Sequence, residues 1–204
     1  MTTRRARPLP VSLSAPPREG GSDMSRRAIP EPTLAIEVPP YSWLDRRVKV
    51  ERSGIHGLGL FATAPIRKGE VVEVLGGTTL TDSQVQAVIA RGERYDGIAL
   101  AHDYNLRIEP PDWPGVHGNH SCDPNLWMHD EVTVEARRDI HVGEELTTDY
   151  ALYTIASWWS MPCTCSSRLC RRVVTGDDWQ HPELIARYRG HFAPVVARRI
   201  ALMA

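Results

Sequence analysis

Residues 118–125 read "GNHSCDPN", a stretch in which polar side chains stand between a glycine and a proline. This composition predicts a turn-rich loop whose Asn, Ser and Asp side chains hydrogen-bond to nearby backbone groups. That interpretation suits any one of the residues. It does not explain why Asn119 and His120 stand side by side just before the thiol of Cys122, so the stretch is also a candidate functional site.

Three further cysteines lie close together near the end of the chain. The sequence "CTCSSRLC" has the pattern C-x-C-x4-C, with thiols at Cys163, Cys165 and Cys170. In a reduced compartment, thiols at such short spacing are better explained by a tetrahedral zinc ion than by disulfides. Three thiolates leave one vertex open. We expect Cys122 to fill it, with His181 and His191 as the alternatives.

Between these two cysteine-containing stretches lies "GEELTTDY", residues 143–150. Gly143 predicts a turn, the next residues a short strand, and Tyr150 stands at its end. A single tyrosine in such a place is usually a core residue whose hydroxyl is satisfied at the rim. Its position alone therefore assigns Tyr150 no catalytic role.

A glycine-rich stretch, "HGLGLFATAP" at residues 56–65, fits the loose G-x-G-x-x-G/A pattern of dinucleotide-binding sites. That pattern works only when the glycines follow a strand and open a helix, which leaves backbone N–H groups free for the pyrophosphate. A strand is predicted before it, but Pro65 and Gly69 follow too soon for a helix. The glycines therefore need another explanation.

The rest of the chain predicts a mainly β domain built from several small sheets. Short β-prone runs separated by turn residues occur at 48–50, 60–62, 71–75, 98–100, 106–108, 132–134 and 146–148. Thr81 and Gln84 form a capping box that predicts a helix ending before Gly92. Pro182 predicts the start of a second helix.

The two ends of the chain differ in character. Residues 1–44 are rich in Pro, Arg, Ser and Gly and lack periodic apolar positions, so we expect a disordered tail. We expect residues 177–204 to form a helical segment in which Trp179, Tyr188 and Phe192 serve either as a packing surface or as a docking surface for the substrate protein.

Taken in order, these motifs resemble one family. A Gly-x-Gly turn after the first strand, N-H-S-C-x-P-N, G-E-E-L-x-x-D-Y and C-x-C-x4-C are similar to the motifs of SET-domain protein-lysine methyltransferases with a post-SET zinc segment. The resemblance covers about residues 46–176. It implies the SET fold, with several small curved sheets and a threaded, pseudoknot-like C-terminal segment. It also implies a SET domain at 45–155 and a post-SET zinc segment at 156–176.

The resemblance further implies the chemistry. The co-substrate is S-adenosylmethionine and the partner is a protein that carries the target lysine. The family's cofactor-binding residues match His56, Gly57, Leu58, Gly59, Asn119, His120 and, less closely, Tyr95. Tyr150 matches the catalytic tyrosine, which positions the lysine amine in line with the methyl group. Zn2+ is held by Cys122, Cys163, Cys165 and Cys170.

Two positions depart from the family pattern. Many relatives carry an Arg-Phe pair before N-H-S-C, whereas this chain has Val116, His117 and Gly118. The residue two before the catalytic tyrosine is often Phe or Tyr and limits how many methyl groups fit. Here it is Thr148, so either more space is available or Tyr104 or Tyr153 fills it.

Two alternatives to an active enzyme belong to other functional classes. One is an inactive SET-fold module that binds a protein partner. The other is a zinc-stabilised nucleic-acid-binding module that uses Arg171, Arg172 and the N-terminal arginines. The second is disfavoured because 24 basic and 25 acidic residues give a net charge of −1. No apolar run approaches the roughly 18 residues of a membrane span, so we expect a cytoplasmic protein, or a nuclear one in a eukaryote.

Overall fold

One four-stranded sheet carries four of the predicted cofactor-binding residues, Leu58, Gly59, Asn119 and His120. The structure is a computed structural model and describes residues 36–203. The strands in chain order are β1 (Trp43–Leu44), β2 (Val48–Arg52), β3 (Leu58–Ala62), β4 (Val71–Val74), β5 (Gly77–Thr81), β6 (Gly97–Ala101), β7 (Tyr104–Ile108), β8 (Asn119–His120), β9 (Leu126–Met128), β10 (Thr133–Ala136), β11 (Glu145–Thr148), β12 (Ser160–Pro162) and β13 (Val173–Thr175). The helices are α1 (Asp82–Ala90), α2 (Pro182–Arg187) and α3 (Pro194–Ala201).

The strands form sheets with the orders β1-β4-β10-β9, β2-β3-β11-β8, β5-β7-β6 and β12-β13. Neighbouring strands are antiparallel except β8 and β11, which are parallel. This pair joins segments more than twenty residues apart, and it places Asn119 and His120 opposite Thr147 and Thr148. The prediction of a mainly β fold with several small sheets and short helices is confirmed.

Both predicted helix starts are present. Thr81 caps α1: its hydroxyl accepts a hydrogen bond from the Gln84 N–H, and the Gln84 side chain accepts one from the Thr81 N–H. Val85 and Val88 are the buried face of this helix. Pro182 is the first residue of α2, where its missing N–H costs nothing.

The C-terminal segment packs against the main core. The side chains of Trp179, Leu184, Tyr188, Phe192 and Val196 are buried in the same hydrophobic cluster as those of Leu60, Leu106 and Leu146. The Ala193 N–H donates to the Leu152 carbonyl over 2.8 Å. Of the two roles considered for this segment, the structure supports packing.

The predicted tail of residues 1–44 lies outside the described residues as far as residue 35. The rest of it is structured. Ile36 and Val38 pack against the core, and Trp43 pairs with Val74 through β1. The structured region therefore extends further toward the N-terminus than the predicted boundary, because Ile36 and Val38, at alternate positions, pack against the core.

Candidate active site

Tyr150, the last residue of the stretch GEELTTDY, lies against the stretch GNHSCDPN. It follows β11, and the parallel pairing with β8 brings it beside residues 118–120. Its hydroxyl donates to the Gly118 carbonyl over 2.9 Å, and its backbone N–H donates to Nδ1 of His120 over 3.2 Å. Residues that the sequence places thirty positions apart thus share one site.

The Tyr150 hydroxyl is a hydrogen-bond donor at neutral pH. Burial, with smaller contributions from Asp96 and Glu73, raises its pKa to about 12. The ring centroids of His120, Tyr153 and Trp159 lie 5.2, 5.8 and 6.0 Å from that of Tyr150. An aromatic cluster of this kind gives an apolar, poorly solvated surface beside the hydroxyl, and Tyr150 itself cannot act as a base near pH 7.

The His120 imidazole makes contacts inside the protein. The residue is 3% exposed, and burial lowers its pKa to about 4, so the imidazole is neutral at pH 7. Because Nδ1 accepts the Tyr150 N–H, the proton is assigned to Nε2, which lies 3.2 Å from the Cys122 sulfur. His120 therefore links the tyrosine to the cysteine cluster.

Tyr153 occupies the space beside Thr148. The two hydroxyl oxygens are 3.0 Å apart, which is hydrogen-bond distance. Tyr104, the other candidate for this space, is partly exposed on β7. The ring of Tyr153 thus lies where the sequence motif lacks its usual aromatic residue.

The glycine-rich stretch forms a hairpin turn between β2 and β3 without a helix. The Ser53 N–H donates to the Gly57 carbonyl, and Gly57 has φ +50°, which favours glycine. Nδ2 of Asn119 donates to the Leu58 carbonyl over 2.9 Å and to the Glu145 carboxylate over 2.8 Å, and lies 3.2 Å from the His56 carbonyl. Asn119 therefore holds this turn against β11.

Gly59 is required for a reason that the sequence did not suggest. A Cβ at this position would collide with the Glu145 carboxylate. The glycine thus makes room for a protein side chain. Tyr95, the remaining cofactor-binding candidate, lies just before β6 with its hydroxyl against Gly97.

The four cysteines converge on one point. The Sγ atoms of Cys122, Cys163, Cys165 and Cys170 all lie within 4.8 Å of one another, as four ligands of one ion require. Burial raises the pKa of the Cys122 thiol to about 11, so a thiolate there calls for a cation. His191 instead stacks on Trp127, with ring centroids 3.3 Å apart.

A buried ion-pair network joins this cluster to the tyrosine. Asp149 is fully buried and receives two hydrogen bonds from the Arg171 guanidinium, of 2.6 and 2.7 Å, and one from the Tyr188 hydroxyl. Nε of Arg171 donates to Asp178 over 2.7 Å. Arg171 is therefore engaged inside the protein, which argues against its suggested role in phosphate binding.

Sequence reasoning missed this network. Asp149 precedes Tyr150 and Arg171 follows Cys170, so each stands beside a residue that was singled out. An acidic residue next to Tyr150 and a basic residue next to Cys170 are the signal that could have suggested the ion pair.

Comparisons with known proteins agree with the geometry. The family model described as "SET domain" matches residues 57–151. The chain is 30% identical to "Histone-lysine N-methyltransferase ATX2" of Arabidopsis thaliana over 78% of this chain, and 35% identical to the human "Histone-lysine N-methyltransferase 2B" over 62%. The match covers only 16% and 5% of those two proteins.

A solved structure has a similar fold. The methyltransferase domain of human "Histone-lysine N-methyltransferase SETMAR" aligns with a TM-score of 0.51 and 24% identity. The alignment covers 63% of this chain and 58% of that domain. Within residues 36–203, no helix has the length and apolar character of a membrane span.

Proposed function

We propose, on the premise that residues 57–151 match the SET-domain family model, that the protein is an S-adenosylmethionine-dependent protein-lysine N-methyltransferase. The observation that carries the proposal is the position of Tyr150, whose hydroxyl meets the Gly118 carbonyl inside an aromatic cluster. We assign residues 45–155 to the SET domain, 156–176 to the zinc segment and 177–204 to a helical support.

The hairpin at residues 53–57 and its neighbours provide the cofactor site in this proposal. When bound, S-adenosylmethionine supplies a methyl group on a sulfonium ion. The backbone at His56, Gly57, Leu58 and Gly59 borders the site, with Tyr95 as a further wall. Asn119 keeps the turn in place through its contacts with Leu58 and Glu145. The His120 imidazole is engaged elsewhere, so its contribution comes from the backbone.

Residues of this chain then favour the neutral form of the lysine amine and orient it. A free lysine has a pKa of about 10.4, so its ammonium group must lose a proton before the nitrogen can attack. The rings of Tyr150, Tyr153 and Trp159 give a poorly solvated surrounding that disfavours the ammonium form. The Tyr150 hydroxyl and the Gly118 carbonyl fix the direction of approach, and such positioning contributes several kcal/mol.

We further propose that Cys122, Cys163, Cys165 and Cys170 hold one structural zinc ion. The four sulfur atoms match a closed tetrahedral site with no open position for chemistry. The substrate is a protein. Core histones are the first substrates to test because both relatives are named histone-lysine methyltransferases.

Cofactor binding tests the proposal without knowledge of the substrate. In a calorimetric titration of zinc-loaded protein, we expect saturable binding of one S-adenosylmethionine per chain. Asn119→Ala should weaken S-adenosylmethionine binding about tenfold. The substitution removes the hydrogen bond to the charged Glu145 carboxylate, worth about 1.5 kcal/mol, and so frees the turn. Asn105→Ala is the matched control, since within residues 36–203 the Asn105 side chain donates only to the exposed Asp82 carboxylate at the start of α1.

Absence of binding, with and without core histones, would contradict the proposal and favour the inactive partner-binding module. Binding without any methyl transfer to protein would leave the cofactor site but remove the enzymatic claim.

The number of methyl groups added is expected to depend on Tyr153. Its hydroxyl fills the space beside Thr148, so Tyr153→Phe should open room for a larger amine. We expect the share of di- and trimethyllysine to rise severalfold in mass spectra of methylated core histones. Tyr104→Phe is the control, because Tyr104 is exposed on β7. An unchanged product distribution in Tyr153→Phe would show that this ring does not limit the site.

A further inference from the structure

One short turn, Tyr150–Leu152, is held at both ends by the C-terminal helical segment. It is a single turn of 3-10 helix that follows β11. The Tyr188 hydroxyl donates to Oδ2 of Asp149, the residue before the turn, over 3.0 Å. At the other end, the Ala193 N–H donates to the Leu152 carbonyl over 2.8 Å. Residues of the C-terminal segment thus contact the turn that presents the proposed catalytic tyrosine.

The Asp149 carboxylate is the group through which the Tyr188 hydroxyl reaches this turn. Its Oδ1 caps the turn by accepting the Ala151 N–H over 3.1 Å. Nη2 of Arg171 donates to Oδ1 over 2.7 Å, and Nη1 donates to Oδ2 over 2.6 Å. The Tyr188 hydroxyl is the second donor to Oδ2. Each carboxylate oxygen therefore receives two donors, which holds the plane of the carboxylate in one orientation.

Tyr188 is itself fixed on all sides. It immediately follows α2 and is fully buried. The guanidinium carbons of Arg137 and Arg187 each lie 5.7 Å from its ring centroid, and the Phe192 ring meets it edge-on at 5.9 Å. Burial and the nearby Asp149 carboxylate raise the pKa of the Tyr188 hydroxyl. The hydroxyl is therefore a protonated donor on an immobile ring at neutral pH.

The hydroxyl gives Asp149 a support that does not depend on the cysteine cluster. Arg171, which also bonds the carboxylate, donates its backbone N–H to the Cys122 sulfur over 3.3 Å. Tyr188 lies instead in the same hydrophobic cluster as Leu146. A reaction site is held precisely when the residues behind it are locked by packing and hydrogen bonds. The Tyr188 hydroxyl thus connects the turn to the core of the protein.

We propose that Tyr188 is a positioning residue for methyl transfer, an inference that rests on the proposed methyltransferase function. Its hydroxyl holds Asp149 and, through Asp149, the turn from which the Tyr150 hydroxyl reaches the Gly118 carbonyl. Tyr188 lies outside the residues 57–151 that match the SET-domain model. The C-terminal segment therefore orients the site in addition to packing against the core.

The first test separates kcat from binding. Tyr188→Phe keeps the ring and removes the hydroxyl, so we expect kcat on core histones to fall about tenfold, since a misplacement of about 1 Å costs up to about 100-fold. KM for histone and the Kd of S-adenosylmethionine should stay within about twofold, because positioning affects the reaction step more than binding.

Val195→Ala is the control for a purely structural effect. Val195 is buried on α3 in the same hydrophobic cluster, and its truncation should lower the melting temperature at least as much as Tyr188→Phe does. At a temperature where both variants are folded, Val195→Ala should keep the native kcat. A native kcat in Tyr188→Phe, or an equal loss of kcat in Val195→Ala, would overturn the proposal.

A double variant tests whether Tyr188 acts through Tyr150. In the Tyr150→Phe background, Tyr188→Phe should lower the single-turnover rate by less than about twofold, because the hydroxyl that it positions is already absent. A further tenfold loss would mean that Tyr188 acts independently of Tyr150 and would overturn the proposed route through Asp149.

Hydrogen exchange tests the contact without turnover. In zinc-loaded Tyr188→Phe, the Ala151 N–H, which Asp149 accepts, should exchange about tenfold faster than in the native protein and in Val195→Ala. A native exchange rate at Ala151 would overturn the positioning role of Tyr188. A native protein that binds S-adenosylmethionine but transfers no methyl group to protein would instead overturn the proposed function.

Discussion

Tyr150→Phe is expected to reduce methyl transfer by about 100-fold or more, the usual loss when one preorganised hydrogen-bond donor is removed. The variant keeps the ring and its contacts with His120 and Trp159, so the site stays packed. It loses the hydroxyl that meets the Gly118 carbonyl and fixes the approach of the amine. S-adenosylmethionine affinity should stay within about twofold, because positioning affects the reaction step more than binding.

Single-turnover rates with core histones and calorimetry with S-adenosylmethionine together measure this prediction. Tyr41→Phe is the matched control, since Tyr41 is 71% exposed. A large loss of cofactor affinity in Tyr150→Phe would place the tyrosine in the cofactor site. Unchanged turnover would remove its assigned role.

Local features of the fold could be predicted from the sequence because each depends on a few adjacent residues. The α1 cap requires only Thr81 and Gln84, and the start of α2 only Pro182. Strand β2, with Val48 and Val50 on either side of Lys49, alternates clearly enough to be recognised. The two-residue strands β1 and β8 could not be predicted, because two residues have no periodicity.

The site could be predicted where residue type and spacing alone indicate the chemistry. The thiols at Cys163, Cys165 and Cys170 indicated a metal site, and the structure brings Cys122 to them in preference to His181 or His191. Pairings across the fold were not predictable. Asp149 is next to Tyr150 in the sequence, but its pairing with Arg171, 22 residues away, forms only in the folded chain.

Removal of the zinc is expected to abolish methyl transfer and lower the melting temperature by about 10 °C. The expected stability loss of a few kcal/mol corresponds to roughly this shift for a chain of this size. The same outcome is expected for Cys165→Ser, with native protein binding about one zinc ion per chain and the variant almost none. Ser160→Ala, an exposed change in β12 close to the cluster, is the control.

Activity should be lost even where the chain remains folded, because the cysteine cluster is tied to the tyrosine by two routes. His120 contacts the Cys122 sulfur and accepts the Tyr150 N–H. Arg171 donates its N–H to the same sulfur and its guanidinium to Asp149, the residue before Tyr150. Relaxation of Cys122 therefore displaces both supports of the tyrosine. Emission spectroscopy for zinc, calorimetric melting and a methyl-transfer assay on chelator-treated protein check this, and metal-free protein that transfers methyl groups at the native rate would refute it.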